Sequence, residues 1–483
     1  MTSYIQRTLI RRWRRYMFED IPVEVGLVHE GERIRKEDMR VELGGPKVSE
    51  KFELVLVKKS DEITDGKISI LGPDLADLEE GKSYPFGILV EVTGEKLEED
   101  LEGVFERRIH EYLNYIQGVM HLNQRYDLWM RVGKKAFAKG LNSFHQIGSA
   151  LISLYRSELP IIEKIQITFF TGGEEFQSTY NLARERYETR DARARGLLDE
   201  EVDTFYGCAL CQSFAPSHIC VITPQRYANC GAISWFDGRA AARMDPDGPI
   251  FPIAKGEYLD SEHGEYSGVN EHAIKRSMGA VNRVWLYSAF GYPHTSCGCF
   301  EAIAFYIPEI EGFGIVHRRF AGPTVNGLAF STLADSTAGG RQVEGFHGIS
   351  LEYMRSVKFL QADGGWNAIV WMPAEIKEML SGIIPEDVAG AIATEQDALD
   401  INALKSFLTS HHHPVVSKWI VPEDTEEEIS SDFGPATPVM SFGELPLMAG
   451  GVKIILKNAK IYAERVIIQP ADTHRKKQGG KND

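Results

Sequence analysis

The chain has 483 residues and a formal net charge of −16, with 43% hydrophobic and 25% charged residues. That length and balance fit a soluble globular protein of about two to four domains with a sizeable core. The acidic excess argues against nucleic acid or an anionic membrane surface as the main partner. No apolar run reaches the roughly eighteen residues that a transmembrane helix needs.

The chain starts basic and amphipathic at Arg7, Arg11, Arg12, Arg14 and Arg15, which superficially resembles a transit peptide. Glu19 and Asp20 follow at once and there is no apolar secretory core, so the segment reads as a solvated or partner-docking helix. Residues 1–50 are otherwise mixed and polar. Short β-rich runs follow at Phe52–Val57, Lys67–Leu71 and Tyr84–Val92, separated by Gly, Asp and Pro turns. Apolar positions at Leu97, Leu101, Phe105, Ile109, Tyr112, Ile116 and Met120 predict one amphipathic helix over 97–121. A strand near 126–132, a helix near 134–157 and a strand near 164–170 complete the first part.

These elements predict a mixed α/β (α+β) multidomain protein. An N-terminal α/β domain spans 1–173, and a charged helical connector spans 174–200. An α+β metal-cluster domain spans 201–421. The acidic stretch from Glu423 to Glu428 opens a linker, and the strands Gly451–Leu456 and Lys460–Ile468 complete the region 422–471. The polar tail 472–483 reads as disordered.

All six cysteines fall between Cys208 and Cys299. Four form Cys208-x2-Cys211-x8-Cys220-x9-Cys230, and two form Cys297-Gly298-Cys299. Three disulfides suit a small secreted domain, whereas this chain is large and has no signal peptide. Thiolates on metal in a reducing cytoplasm are the better reading. The first four cysteines fit an iron–sulfur cubane or a zinc tetrathiolate equally well. The tripeptide separates these readings. Its two thiolates and two backbone amide nitrogens can close a planar chelate, which suits Ni(II) or Cu(II) but not Zn(II). Glycine between them has no Cβ to crowd the plane.

At these residues the chain resembles the acetyl-CoA synthase family, which includes the β subunit of the acetyl-CoA decarbonylase/synthase complex. The resemblance is carried by Cys208, Cys211, Phe214, Pro216 and Cys220, then Asn229-Cys230-Gly231, then Cys297-Gly298-Cys299. Ile233 to Arg239 and Asp245 to Gly256 also look typical. The resemblance implies a [4Fe–4S] cluster bridged to two nickel ions. Cys208, Cys211, Cys220 and Cys230 would hold the cubane. Cys211, Cys297 and Cys299 would hold the proximal nickel. Cys297, Cys299 and the backbone nitrogens of Gly298 and Cys299 would hold the distal nickel. The implied reaction assembles or cleaves acetyl-CoA from CO, a methyl group carried by a corrinoid iron–sulfur protein, and coenzyme A. Carbon monoxide dehydrogenase is the implied partner. The chain looks like the short form of the family, without the extra N-terminal domain that contacts the dehydrogenase in bacterial members.

Further residues are candidates beside the cysteines. Phe214 reads either as a shield over the open nickel position or as a core aromatic. Arg125, Arg131, Lys134, Lys135 and Lys139, with Trp129 for stacking, read either as a phosphate-binding face for coenzyme A or as a solvated basic face. His218 is placed to tune a cluster sulfur or to serve as an ordinary loop histidine. His411, His412 and His413 read as a solvated loop, since three consecutive histidines cannot all face one ion. The competing functions are a cubane protein that only passes electrons and a structural zinc protein. No Walker-type or Gly-x-Gly-x-x-Gly run supports an ATPase or a nicotinamide dehydrogenase.

Overall fold

The computed structural model describes residues 20–26, 34–122, 128–211, 215 and 217–419. Its first part builds two four-stranded sheets from β1 (Met39–Gly44), β2 (Lys51–Val57), β3 (Ile68–Leu71), β4 (Ser83–Tyr84), β5 (Phe86–Thr93), β6 (Val119–Leu122), β7 (Trp129–Gly133) and β8 (Lys164–Phe170). One sheet has the order β4-β1-β7-β6 and the other β2-β5-β8-β3. The run expected as a single strand over Tyr84–Val92 is split at Pro85, which has no N–H to give to a ladder. The break lets the chain leave β1, which pairs in parallel with β4, and enter the other sheet through β5.

Helix α1 (Glu102–Leu113) is buried along almost its whole length, charged residues included. The helix expected over 97–121 therefore ends early, and Asn114 is the reason. Its side-chain amide donates to the carbonyls of His110 and His121, both at 2.8 Å, and accepts from the His121 N–H at 3.0 Å. These bonds replace the next helical turn with a bend into β6. The helix expected over 134–157 is likewise two helices, α2 (Lys134–Ala138) and α3 (Phe144–Glu158). A capping box of Ser143 and Gln146 starts the second one afresh.

Helix α4 (Glu174–Ala194) covers the connector segment and packs directly on the sheet. Phe52, Leu54 and Leu56 share a core with Phe170, Phe176, Ala183 and Tyr187, while Val55 points to the opposite face and the main core. Successive side chains of β2 thus serve two layers, as strand periodicity requires. The buried carboxylates of α1 close this layer. Glu102 accepts from the Val57 N–H at 2.8 Å and Glu106 from the Val55 N–H at 3.0 Å. Arg190 of α4 reaches Glu102 at 2.6 Å, Glu106 at 2.9 Å and the Val55 carbonyl at 3.2 Å.

The second part contains the antiparallel sheet β10-β9-β11, from β9 (Thr204–Cys208), β10 (Cys220–Ile222) and β11 (Ile250–Ala254). A hairpin of β12 (Tyr258–Asp260) and β13 (Glu265–Tyr266) follows. A last sheet, β16-β14-β15-β17, is built from β14 (Ala302–Ile307), β15 (Gly312–His317), β16 (Phe346–Ile349) and β17 (Ile369–Trp371). Helices α5 (Trp235–Met244), α6 (Ser267–Ser277) and α7 (Phe330–Thr337) pack beside these sheets. One hydrophobic core runs from Phe105 and Ile109 of α1 through Cys208, Cys211 and Cys230 to Cys297 and Cys299. Among the described residues no helix is long and apolar enough to cross a membrane. The N-terminal arginines, the acidic linker, the C-terminal strand pair and the tail lie outside the described residues.

Arg190→Met leaves two buried carboxylates without their cation. It is expected to destabilise the protein by about 3–5 kcal/mol, read as a drop in the denaturant midpoint. An unchanged midpoint would mean that α4 does not depend on this contact.

Candidate metal centre

The six cysteines are brought together by secondary structure on both sides of a long insertion. Strand pairing sets Cys208 directly opposite Cys220 across β9 and β10. Cys208, Cys211, Cys220 and Cys230 line one cavity together with Cys297, Arg107 and His218. Cys211, Cys297 and Cys299 form a second group, with all three sulfurs within 4.8 Å of one another. Cys211 belongs to both groups. None of the six is in a disulfide, and all are buried.

The Cys297-Gly298-Cys299 loop is held by its carbonyls. Gly339 N–H donates to the Cys297 carbonyl at 3.1 Å and Gly340 N–H to the Ser296 carbonyl at 2.8 Å. Arg318 Nη2 donates to the Gly298 carbonyl at 2.9 Å. Gly298 sits at φ 134°, where a side chain is strained. Gly340 sits at φ 73°, and a Cβ there would lie 2.6 Å from the His218 backbone nitrogen. The 339–340 turn is therefore pressed between the first cysteine loop and the second. The Cys299 N–H points at Cys297 Sγ at 3.2 Å. The Gly298 N–H donates to none of the described residues. The Cys299 N–H is thus turned into the tripeptide.

Burial raises the thiols of Cys208, Cys220 and Cys230 above their ordinary range. Cys299 is the exception: hydrogen bonds from Cys211 and Cys297 hold it well below that range, with help from Arg107 and His110. Thiols this deeply buried ionise at neutral pH when a cation is supplied, and a bound metal is the obvious one. The donor set therefore fits a thiolate-ligated cluster, and the tripeptide fits an ion that accepts two sulfurs and two amide nitrogens.

Two residues at the centre were not anticipated from sequence, and both come from α1. Arg107 is fully buried and its Nη2 donates to Cys211 Sγ at 3.3 Å. It makes no ion pair with a carboxylate among the described residues. His110 touches the side chain of Cys299, and its Nδ1 lies 3.2 Å from Nδ1 of His121. His121 in turn bonds Glu53 of β2. Burial, followed by the charge of Arg107, holds His110 down to about 3, so its ring is neutral. The signal in the sequence was two polar residues at i, i+3 on a helix that the structure then buries completely. A second buried cation, Arg226, lies on the Cys220 side and donates to Asn229 at 3.1 Å and to His347 at 2.9 Å.

The other expected residues are dispersed. His218 lines the cysteine cavity and its Nδ1 lies 2.9 Å from Thr295 Oγ1. Arg131 and Trp129 are both engaged by the buried Glu42, at 2.7 and 2.9 Å, with the guanidinium 4.7 Å from the indole ring. Lys134 pairs with Glu80 at 2.9 Å, and Lys139 donates to Gln117 at 3.0 Å. Lys135 is exposed and has no acidic partner among the described residues. His413 turns inward, donating to the Ile369 carbonyl at 2.9 Å and accepting from the Val415 N–H, while His411 and His412 are exposed. Phe214 and Arg125 lie outside the described residues.

Comparison with known proteins finds two family matches along the chain. Residues 21–176 match the family described as CO dehydrogenase/acetyl-CoA synthase complex beta subunit. Residues 187–420 match the family described as the C-terminal part of the ACS/CODH beta subunit. The chain is 56% identical over 462 residues to the acetyl-CoA decarbonylase/synthase complex subunit beta of Methanothermobacter thermautotrophicus, covering 94% of this chain and 100% of that one. It is 51% identical over 466 residues to subunit beta 2 of Methanosarcina thermophila, covering 93% and 98%. Among solved structures, a C-terminal domain of an acetyl-coenzyme A synthase alpha subunit is 39% identical. It covers 25% of this chain and 97% of that one, at a TM-score of 0.24, too low to bear on the fold.

Gly340→Ala is expected to push the 339–340 turn off the first cysteine loop and release the Cys297 carbonyl. The metal-free variant should lose about 1–3 kcal/mol and alkylate faster at Cys297 and Cys299, read by peptide mass spectrometry. Unchanged alkylation would mean that the turn does not hold the tripeptide.

Proposed function

The chain belongs to the CO dehydrogenase/acetyl-CoA synthase complex beta subunit family, and we propose that it assembles or cleaves acetyl-CoA from CO, a methyl group and coenzyme A. The single observation that carries the reading is the double membership of Cys211 in the four-cysteine cavity and in the Cys211/Cys297/Cys299 triad. A structural zinc site or a lone cubane has no use for a shared sulfur, and no use for a Cys-Gly-Cys with both thiols buried beside it.

In this reading Cys208, Cys211, Cys220 and Cys230 hold a [4Fe–4S] cubane. Cys211, Cys297 and Cys299 would hold a proximal nickel. Cys297, Cys299 and the nitrogens of Gly298 and Cys299 would hold a distal nickel. When bound, the group would supply an electron-rich metal for joining or separating one-carbon units. The chain contributes a cavity lined by buried cysteines, and fixed charge. Arg107 beside Cys211 and Arg226 near Cys220 offset the negative charge of the thiolates. Hydrogen bonding by Arg107 draws density from Cys211, the sulfur common to both halves. Neutral His110 supports Cys299 and is itself steadied by His121 and Glu53. Phe214, three residues after Cys211, is assigned to cover the open position.

The partners proposed are the other subunits of such a complex, carbon monoxide dehydrogenase and a methyl-corrinoid iron–sulfur protein among them. For coenzyme A, Arg131 and Lys134 would have to exchange Glu42 and Glu80 for phosphate. Lys135, Trp129 and Arg125 complete the proposed contact face.

The deciding experiment is metal analysis of anaerobically purified protein beside a Cys297→Ser/Cys299→Ser variant. About four irons per chain with nickel are expected, and the variant should lose nickel while keeping iron. Zinc without iron, or iron that never takes nickel, would sink the reading. Phe214→Ala is expected to keep both metals and to alter CO binding and acetyl transfer. Unchanged CO affinity and transfer would remove its covering role.

A further inference from the structure

We propose that Arg318 is the positioning residue that makes the Cys297-Gly298-Cys299 segment select a metal bound through its peptide nitrogens. The inference rests on the reading of that segment as a two-sulfur, two-nitrogen ligand. As each metal–nitrogen bond forms, the amide proton leaves to the buffer and no electron is transferred. The peptide then carries a negative charge, which resonance shares between nitrogen and carbonyl oxygen.

Two peptides are involved, and their carbonyl oxygens belong to Cys297 and Gly298. They are treated differently. The Cys297 oxygen accepts from the neutral Gly339 N–H at 3.1 Å. The Gly298 oxygen accepts from the Arg318 guanidinium at 2.9 Å. A charge-assisted bond is about twice as strong as a neutral one, and here it gains most when the peptide itself becomes charged. Arg318 follows β15 and is half-buried, with its guanidinium 5.4 Å from the ring centre of Phe330. Phe330 packs against Phe300, the residue after Cys299, with ring centres 6.2 Å apart. The guanidinium is thus held in place before any metal arrives, by the same elements that hold the tripeptide.

The consequence is selectivity. An ion that binds through sulfur alone leaves the peptides neutral and gains little from Arg318. An ion that also takes the amide nitrogens gains the full charge-assisted bond. Arg318 thereby favours a square-planar ion such as nickel over a soft tetrahedral one.

The test uses full-length wild type, Arg318→Gln and Arg318→Lys, each prepared anaerobically with its iron–sulfur complement. Each is titrated with Ni²⁺ against a competing chelator and, separately, with Cd²⁺ as the sulfur-only probe. Nickel affinity, the visible absorption of square-planar nickel and iron content are read. Arg318→Gln is expected to weaken nickel roughly ten- to hundredfold while cadmium affinity and iron stay unchanged. Arg318→Lys should recover part of the loss. Equal nickel affinity in wild type and Arg318→Gln overturns the proposal. Equal losses of nickel and cadmium also overturn it, because Arg318 would then merely hold the loop. If wild type itself never develops the square-planar absorption, the chelate reading fails first, and the proposal falls with it.

Discussion

The hydrogen bond from Arg107 to Cys211 joins the two halves of this protein at the point where their chemistry meets. Its donor lies on a helix of the first part and its acceptor on the first cysteine loop, 104 positions later. A buried guanidinium needs negative charge nearby, and buried thiols need a cation before they ionise. Each side removes the other's difficulty. The core consequently runs without a break from the first sheets into the cysteine cluster.

Helix α1 shows what that constraint demands. A helix buried on all sides is normally apolar, yet this one carries Glu102, Glu106, Arg107, Arg108 and His110 inside. Every charge whose partners are described has a task. The two glutamates tie the edge of β2 to Arg190 of α4, and Arg107 and His110 serve the sulfurs. The same turns of helix therefore anchor the first sheet and reach the cysteine cluster, which couples the packing of the first part to that of the second.

The cysteine site is also built against its own charge. The chain is acidic overall, but the cations nearest the sulfurs, Arg107 and Arg226, are buried and unpaired with carboxylates among the described residues. Arg318 adds a third positive group on the peptide side of Cys297-Gly298-Cys299. Fixed cations around a set of buried thiols favour their ionised form, without ordering any solvent to do so.

The sequence by itself pointed to the six cysteines as one group, because cysteine is scarce here and all six fall between Cys208 and Cys299. Strands such as Phe52–Val57 and Lys164–Phe170 were also legible, since local alternation and turn residues define them. It misjudged where helices stop. The apolar spacing continues past Leu113 to Met120, but Asn114 ends the helix through bonds to His121, a residue that follows the bend. Tertiary structure alone decided that Arg107 and His110 attend the sulfurs, that Arg318 holds the Gly298 carbonyl, and that Arg131 and Lys134 face carboxylates. These contacts join residues far apart in the chain, and periodicity reports only which face of an element is apolar. What each buried polar group meets across the core is set by packing, and packing is not written in any local stretch of sequence.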